Sequence, residues 1–171
     1  IMNWGEEHVC STFYICWGAQ AGLYHHFGIN KSIMDEKLFG VYEHDIYNDR
    51  PVLLRGFDEK FWMPHSRHTT VSLQQIKENR DLELLAGSDP TGAAIVRSLD
   101  NKHIFVFGHA EYDWDTLNRE YERDINKGMD IAVPENYFPN DDPKQRPIVR
   151  WRSVSTLLFT NWLNYYVYQE T

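Results

Sequence analysis

The segment from Tyr14 to Gly22 places a cysteine directly after an apolar run and follows it with small residues. The run Thr12–Ile15 predicts a strand, and the small residues Gly18, Ala19, Ala21 and Gly22 let a following helix press against it. This is the pattern of a nucleophile elbow, in which the reactive side chain lies on a sharp strand-to-helix turn. Cys16 would then lie at the positive end of the helix dipole, which favours the thiolate that attacks carbonyl carbons. An ordinary buried cysteine gives the same local pattern, so both interpretations stay open here.

A histidine and a glutamate, His109 and Glu111, follow a second apolar run, Phe105–Phe107. In an extended segment, residues i and i+2 point to the same side, so Glu111 can orient His109. Open α/β sheets bind their ligands at the carboxyl ends of strands, where this histidine is expected. Together with Cys16 the pair supplies a nucleophile, a base and an orienting acid. Taken alone, the pair also fits a surface histidine beside a surface acid.

Two further segments carry polar groups that could bind a substrate. In Pro64–His68, Arg67 could hold a carboxylate through two hydrogen bonds and Ser66 could donate one. Arg123 lies within a predicted helix and is either part of an exposed, ion-paired face or points back to hold an amino-acid carboxylate. The pattern does not separate these two alternatives.

The histidines do not predict a metal centre. His25 and His26 are adjacent, and His65 and His68 are three residues apart, but no third ligand follows at the spacing of a metal site. The two cysteines form no Cys-x-x-Cys pair. We therefore predict no metal.

The elements that must position these residues alternate between strands and helices. Residues 11–15 predict a strand, and residues 18–27 a helix that ends at Gly28. Further extended segments are predicted over Lys37–His44, Val52–Arg55, Thr69–Val71, Leu82–Ala86, Ala93–Ser98 and His103–Phe107. Asn48–Pro51 and Asp100–Asn101 predict turns, the second of them in a hairpin.

Helices are predicted mainly in the second half of the chain. A helical turn is expected over Leu73–Asn79. Asp115 could cap a helix that runs to Lys127, with Leu117, Tyr121 and Ile125 along one face and Gly128 as its stop. After the loop Pro134–Pro147, a last helix over Ser153–Gln169 is expected to pack its aromatic side on a sheet. The interleaved order predicts an α/β fold.

Composition excludes some classes of protein. The chain has 171 residues, which suits one domain, with 42% hydrophobic and 25% charged residues. A net charge of −8 argues against broad attraction to nucleic acid or to an anionic membrane. The apolar runs are too short to cross a bilayer. Cys10 and Cys16 would lie roughly 20 Å apart across an extended segment, beyond disulfide reach, and free thiols without a secretory signal predict a cytoplasmic protein.

Long blocks of the chain resemble the homoserine O-acyltransferase (homoserine transsuccinylase) family of methionine biosynthesis. The blocks match in order and cover nearly the whole chain. They are Ile15–Ala21, Phe39–His44, Arg55–Asp58, Pro64–Arg67, Gly108–Asp113, Asn136–Pro139 and Thr160–Gln169. The resemblance implies an α/β fold like that of class I glutamine amidotransferases, a flavodoxin-like sheet flanked by helices.

The resemblance also implies roles for individual residues. Cys16 corresponds to the acyl-accepting nucleophile, His109 to the general base and Glu111 to the acid of the triad. Lys37, Ser66 and Arg123 match positions that family members use to bind substrate. The implied reaction is a ping-pong acyl transfer from succinyl-CoA or acetyl-CoA to homoserine. The backbone N–H of Trp17, at the helix start, is our candidate oxyanion donor. We expect no permanently bound cofactor, and we expect a homo-oligomer.

Three features depart from the family pattern. Residues 1–171 match only its second half, so we expect one catalytic domain that lacks the amino-terminal half, which a separate chain could supply. That half carries a lysine of the oxyanion site and a residue that discriminates acyl donors. Arg152-Ser153-Val154 replaces the usual Arg-Ser-His, and the chain stops before the usual tail.

Three alternatives to a homoserine acyltransferase stay open at this point. The first is a serine O-acetyltransferase on the same scaffold, because serine is one methylene shorter than homoserine. The second is a glutamine amidotransferase-like hydrolase that uses the same Cys-His-Glu geometry. The third is an inert half-domain.

Overall fold

The computed structural model describes residues 1–47 and 51–169. In this part of the chain the α-helices are α1 (Met2–His8), α2 (Trp17–Phe27), α3 (Leu73–Glu78), α4 (Thr116–Asn126) and α5 (Arg152–Trp162). The strands are β1 (Thr12–Ile15), β2 (Lys31–Ile46), β3 (Lys60–Val71), β4 (Leu82–Ser88), β5 (Gly92–Ser98) and β6 (His103–Val106). Helices and strands interleave, so the predicted α/β class is confirmed.

The six strands form one mixed sheet in the order β1-β6-β5-β4-β2-β3. Among these described strands, β1 and β6 are the one parallel pair, with Ile15 opposite Val106, whereas the other neighbours are antiparallel. Because carboxyl ends of parallel strands meet at the same edge, the residues that follow β1 and β6 are brought together. The predicted hairpin at Asp100–Asn101 is confirmed, since β5 and β6 pair as antiparallel neighbours.

The sheet curls, so that its two outer strands approach each other. The backbone N–H of His109, shortly after β6, donates to the carbonyl of Pro64 in β3 at 2.7 Å. The Cys16 sulfur, directly after β1, lies 4.0 Å from the carbonyl oxygen of Ser66, also in β3. β3 therefore borders the carboxyl ends of β1 and β6, although it lies at the other end of the strand order.

Helices cover both faces of the sheet because alternate strand residues are apolar on each side. One face buries Ile104 and Val106 against Leu158 and Tyr166 of the carboxyl-terminal segment. The other face buries Phe105 and Phe107 against Ala19 and Leu23 of α2 and Ile76 of α3. Phe13 of β1 packs on the rings of Phe159 and Trp162, so the aromatic side of the last helix packs on the sheet, as predicted.

The close approach of α2 to the sheet depends on Gly22. A Cβ at this position would lie 2.9 Å from Cε1 of Phe105 and 3.2 Å from Cδ1 of Tyr14. Such distances leave no room for a side chain without displacing one of these rings. The expectation that small residues let the helix press against the strand is therefore confirmed at Gly22, whereas a Cβ at Gly18 would meet nothing within 4 Å.

Several predicted elements need correction. Val52–Leu54 is a 3-10 turn rather than an extended segment, since Pro51 places the chain at the start of a turn. β2 and β3 are longer than predicted, because their outer parts are polar and the period-2 pattern is weak there. α1 was not predicted. A turn was also predicted at Asn48–Pro51, and residues 48–50 of it lie outside the described residues.

The predicted helix from Asp115 is present, but its cap and its buried face differ from the prediction. Asp115 accepts no capping hydrogen bond, and its Oδ1 accepts one from Nη2 of Arg119 at 3.0 Å. Leu117 and Asp124 are buried, whereas Ile125 is 45% exposed. The face of α4 that turns inward is therefore partly polar. The last predicted helix ends as an α-helix at Trp162 and continues as a π-helical turn over Leu163–Val167.

Candidate active site

Cys16 lies on a strained turn between β1 and α2. Its φ of 49° and ψ of −109° are outside the regions that L-residues ordinarily adopt, and such strain is concentrated at functional sites. Its backbone N–H donates to the carbonyl of Val106 at 2.7 Å, which ties the turn to the end of β6. The side chain is buried, and both cysteines are free thiols. The geometry is that of the predicted nucleophile elbow.

His109 is held next to Cys16 by the main chain and by its own ring. Its backbone donates to Pro64, and Gly108 permits this close approach, since a Cβ there would lie 2.8 Å from the carbonyl oxygen of Pro64. The ring stacks on Tyr112 with centroids 4.2 Å apart and an angle of 18°. Nδ1 of His109 lies 2.6 Å from Oε1 of Glu111, and the ring also hydrogen-bonds the Cys16 thiol.

These contacts determine the charge of His109. Burial lowers the pKa of His109, but the hydrogen bonds with Cys16 and Glu111 and their negative charges outweigh it. The pKa rises from 6.5 to about 9. Nδ1 therefore donates to Glu111, and Nε2 is the nitrogen that faces the thiol. At neutral pH this ring is an imidazolium, positioned to give a proton as well as to take one.

Ser66 joins the cysteine region to a polar cluster on α4. Its Oγ donates to Oε2 of Glu120 at 2.6 Å, and the hydroxyl of Tyr112 donates to Oε1 of the same carboxylate at 2.7 Å. Glu120 therefore accepts one hydrogen bond on each oxygen. Tyr112 also stacks on His109, so the Tyr112 side chain links the Glu120 carboxylate to the candidate base.

Lys37 and Arg123 supply the positive charges of this cluster. Lys37 lies where the register of β2 shifts between Ile33 and Leu38, a β-bulge of the kind that redirects side chains near active sites. Its Nζ lies 3.4 Å from Oδ2 of Asp124 and 3.9 Å from Oε2 of Glu120.

Arg123 binds the other oxygen of the buried carboxylate. Its Nε donates to Oδ1 of Asp124 at 2.7 Å, while 53% of the Arg123 side chain stays exposed. The hydrogen bond from Arg123 lowers the pKa of Asp124 most, burial opposes it, and Lys37 adds to it, so that the pKa falls to about 2. The carboxylate is thus ionised at neutral pH and holds both cations in place.

The structure brings the predicted residues together in two groups. Cys16, His109 and Glu111 form the first, and Lys37, Ser66 and Arg123 join Glu120 and Asp124 in the second. Trp17 is the first residue of α2, and amides in the first turn of a helix have no acceptor within the helix. Its ring is 66% exposed.

Sequence reasoning missed Glu120 and misplaced Arg67. Glu120 was not among the predicted site residues, and only its (i, i+4) spacing from Asp124 could have indicated a shared inward face. Arg67, which the sequence suggested as a group that could hold a carboxylate, uses both terminal nitrogens within the protein. It is buried, and its two terminal nitrogens donate to the carbonyls of Thr69 and Thr91.

Four buried or partly buried histidines outside this site contact one another in pairs, His44 with His65 and His26 with His103. His65 is buried, with Nε2 at 3.0 Å from Nε2 of His44. In the described ranges, one group of three possible metal ligands exists, formed by Glu6, His26 and His103. The rings of His26 and His103 stack at 4.0 Å with an angle of 22°, so their in-plane lone pairs do not converge on one ion. We assign no metal to this group.

None of the helices between residues 1 and 47 or 51 and 169 is long and apolar enough to cross a membrane.

Comparison with known proteins agrees with this geometry. A family model described as homoserine O-succinyltransferase matches residues 1–171. The chain belongs to the homoserine O-succinyltransferase family. This confirms the resemblance that the sequence blocks indicated.

The chain is also similar to individual members named homoserine O-acetyltransferase. It is 58% identical over 171 residues to the protein from Clostridium acetobutylicum and covers 57% of that protein. It is 53% identical to the protein from Petrotoga mobilis and covers 55% of it. In both cases the whole of this chain is matched, so it spans a little over half the length of these relatives.

Solved structures support the fold. A glutamine amidotransferase from Thermotoga maritima matches with a TM-score of 0.55 and 17% identity, over 87% of this chain and 53% of that one. A glutamine amidotransferase from Methylobacillus flagellatus matches with a TM-score of 0.54 and 17% identity, over 92% of this chain and 60% of that one. The predicted glutamine amidotransferase-like α/β fold, a sheet flanked by helices, is therefore confirmed.

Proposed function

We propose that this chain carries the catalytic centre of a homoserine O-acyltransferase that works through an acyl-enzyme on Cys16. The observation that carries the proposal is the contact of Cys16 with His109, oriented by Glu111, at the adjacent ends of two parallel strands. Membership of the family supports it. The serine O-acetyltransferase alternative is not favoured by the relatives, whose names specify homoserine.

In the first half-reaction the Cys16 thiolate attacks the thioester carbon of an acyl-CoA. A bond forms between Sγ and the acyl carbon, the carbon–sulfur bond of the donor breaks, and coenzyme A leaves as a thiolate. The raised pKa of His109 means that its imidazolium can give the Nε2 proton to this leaving thiolate. The step ends with an acyl-cysteine and a neutral histidine.

In the second half-reaction the neutral His109 acts as the base. Nε2 takes the hydroxyl proton of the acceptor while the hydroxyl oxygen attacks the acyl-cysteine carbon. The carbon–sulfur bond breaks, Cys16 returns as a thiolate, and His109 is again an imidazolium. Glu111 holds Nδ1 throughout, so the same nitrogen faces the reacting atoms in both halves.

The charge that develops on the acyl oxygen needs donors close to Cys16. The backbone N–H of Trp17 is our candidate, because it follows the nucleophile at the start of α2. A single oxyanion donor of this kind contributes about 3 to 4 kcal/mol to transition-state stabilisation. We propose that the part of the family pattern absent from this chain supplies a second donor.

The polar cluster is suited to an amino-acid acceptor. Arg123 is half exposed and uses Nε for Asp124, and among the described residues its two terminal nitrogens have no hydrogen-bond acceptor, so they could bind a carboxylate through two parallel hydrogen bonds. Glu120 carries a negative charge that would attract the acceptor's ammonium group, with Ser66 and Lys37 around it. The acceptor hydroxyl would then be directed toward His109.

The names of the relatives favour acetyl-CoA as the donor over succinyl-CoA, although the family model is described by the succinyl reaction. We propose that the reaction belongs to methionine biosynthesis and takes place in the cytoplasm, and that the protein functions as a homo-oligomer.

The experiment is the trapping of the acyl-enzyme. The chain is incubated with acetyl-CoA or with succinyl-CoA and its intact mass is measured, before and after homoserine is added. We expect a single acyl adduct that is absent in Cys16→Ala, is kept in Cys10→Ser, and is discharged by homoserine faster than by serine. The same measurement is made on a chimera that carries the remaining segment of the Clostridium acetobutylicum relative.

The results separate the alternatives. No adduct in either the chain or the chimera, with Cys16 still alkylated by iodoacetamide, would rule out acyl transfer. Release of ammonia from glutamine without acyl transfer would favour the amidotransferase-like hydrolase. An undiminished adduct in Cys16→Ala would place the acyl group on another residue.

A further inference from the structure

Tyr112 contacts both groups of the candidate site through different parts of its side chain. The face of its ring stacks on the His109 imidazole, with centroids 4.2 Å apart and an angle of 18° between the planes. Its hydroxyl donates to Oε1 of Glu120 at 2.7 Å. The candidate base and the carboxylate of the polar cluster therefore meet at one side chain.

The main chain of Tyr112 is fixed on both sides. Its backbone N–H donates to the carbonyl of His109 at 3.2 Å, which closes a turn in which residues i and i+3 approach each other. Its carbonyl accepts a hydrogen bond from Nε1 of Trp151 at 2.9 Å, and Trp151 is buried. The turn brings the tyrosine ring over the histidine, and the buried tryptophan holds it there.

The ring contact restricts a rotation that Glu111 does not restrict by itself. Nδ1 of His109 lies 2.6 Å from Oε1 of Glu111. The χ2 torsion of a histidine has a broad preference, and a single hydrogen bond at Nδ1 leaves the plane of the ring free to tilt. An aromatic ring stacked on one face blocks this tilt. Tyr112 therefore helps to determine the direction in which Nε2 of His109 points.

The hydroxyl contact acts on Glu120. Oε1 of Glu120 accepts from Tyr112, and Oε2 accepts from Oγ of Ser66 at 2.6 Å. Burial raises the pKa of Tyr112, and the hydrogen bond and charge of Glu120 raise it further, so the phenol keeps the proton that it donates. With one donor on each oxygen, the carboxylate is held in one orientation. Loss of one donor would free it to rotate without removing its charge.

We propose that Tyr112 is a positioning residue with two separable parts, a ring that orients His109 and a hydroxyl that orients Glu120. The inference rests on the proposed function, in which His109 acts in both half-reactions and Glu120 acts in the second. The ring therefore supports both half-reactions, whereas the hydroxyl supports binding of the amino-acid acceptor. One side chain thus sets the position of the acceptor relative to the base that takes its hydroxyl proton.

Two substitutions separate these parts, measured in the chain or in the chimera described above. Tyr112→Phe keeps the ring and removes the hydroxyl. The rate of adduct formation and kcat should stay unchanged, while KM for homoserine should rise by about 3 to 10-fold, the effect of losing one hydrogen bond. Tyr112→Leu removes both parts. Adduct formation itself should then slow by about 10 to 100-fold, because the imidazole is no longer held in line.

Tyr121→Phe is the matched control. Tyr121 lies one residue after Glu120 on α4 and packs in the same cluster of apolar side chains as Tyr112, so its variant should leave both half-reactions unchanged. Near-ultraviolet circular dichroism checks that each variant is folded. A folded Tyr112→Phe with equal losses in both half-reactions overturns the proposal, and so does a folded Tyr112→Leu that forms the adduct at the unsubstituted rate.

Nuclear magnetic resonance tests the ring contact without turnover. The carbon-bound ring protons of His109, assigned by their absence from His109→Gln, should resonate upfield of ordinary histidine protons, because they lie over the face of an aromatic ring. The shift should persist in Tyr112→Phe. The Nδ1 proton that binds Glu111 should give a far-downfield resonance in the unsubstituted chain and lose it in Tyr112→Leu. Ring protons at ordinary positions in the unsubstituted chain overturn the proposal, even if the leucine variant does not fold.

The outcomes also separate this proposal from the proposed function. If the chain and the chimera form no acyl adduct but the His109 resonances depend on the ring of Tyr112, acyl transfer fails and the orientation of His109 by Tyr112 stands. If the adduct forms and Tyr112→Leu keeps both the unsubstituted rate and the unsubstituted resonances, only the inference about Tyr112 fails.

Discussion

The two groups of the candidate site are held in place by different kinds of contact. Cys16 and His109 are fixed mainly by the main chain, through backbone hydrogen bonds to Val106 and Pro64 at 2.7 Å each. Lys37, Glu120 and Arg123 are fixed by side chains that pair with one another and with neighbours on three elements. The first group is therefore organised by the topology of the sheet, and the second by its own charges.

This difference has consequences for mutation. Replacing a side chain of the first group leaves these backbone hydrogen bonds in place, so the position of the turn is kept and the loss reports mainly the chemistry of that side chain. In a charge cluster, each substitution leaves a partner without its counter-charge, so the effects are large and not additive. The predictions below start with the main-chain-held group, where the expected effect is largest.

His109→Gln should slow acyl-enzyme formation by about 10² to 10⁴-fold, because it removes the proton donor to the leaving thiolate. The measurement is the rate of adduct formation by rapid quenching and mass spectrometry. His68→Gln, at an exposed histidine of β3, is the control. A loss smaller than tenfold would contradict the role of His109.

Glu120→Gln should lower kcat/KM for the acceptor by about 10 to 100-fold, the cost of losing hydrogen bonds to a charged partner. The rate of adduct formation should stay close to that of the unsubstituted chain, because the cluster acts in the second half-reaction. Glu122→Gln is the matched control, since Glu122 is exposed and binds Asn118 on the outer side of α4. Equal losses in both half-reactions would show that the two groups do not act separately.

Glu111→Gln should change the pH dependence of stability. The pKa of His109 is raised from 6.5 to about 9 in the folded state. The stability that this contributes is fully present below pH 6.5 and is lost as the pH rises through about 9. Thermal melts from about pH 6 to 10 should therefore show a smaller fall in Tm for Glu111→Gln than for the unsubstituted chain. Parallel curves would mean that Glu111 does not hold the imidazolium.

Gly22→Ala should change the reaction rates least, because its effect is on the stability of the fold. Its Cβ would overlap the ring of Phe105, which lowers the free energy of unfolding by about 1 to 3 kcal/mol. Gly18→Ala is the control in the same helix, since a Cβ there meets nothing within 4 Å. Denaturant unfolding of both variants measures the difference, and equal stabilities would count against tight packing of α2 on the sheet.

The elbow was predictable because its signals are local. An apolar strand, a cysteine and small residues follow one another within ten positions, and each acts on neighbours a few residues away. The same is true of His109 and Glu111, which are two residues apart and form the expected hydrogen bond. Most of the sheet strands were predictable for the same reason, since alternation along one strand reports its two faces.

β3 and α4 were misread because their buried side chains are polar. In β3, His65 and Arg67 are buried because they bind partners elsewhere in the chain, His44 and Thr91. In the sequence this part of the strand therefore looks like an exposed polar segment. In α4 the inward face carries Asp124 beside Leu117 while Ile125 is exposed, the reverse of what hydrophobicity predicts. A burial rule based on hydrophobicity fails where buried polar side chains find hydrogen-bond partners, as in β3, or opposite charges, as at Asp124 of α4.

The sequence by itself determined the α/β class, the elbow at Cys16, the pair His109 and Glu111, and membership of the family. These depend on contacts within a few residues or on long matching blocks. Only the tertiary structure decided that the sheet curls, that Ser66 meets Cys16 from 50 residues away, and that Lys37 meets Asp124 from 87 residues away. Residues that are this far apart in the sequence form ion pairs and hydrogen bonds because the chain folds back on itself in space. Such contacts leave no periodic signal in the sequence.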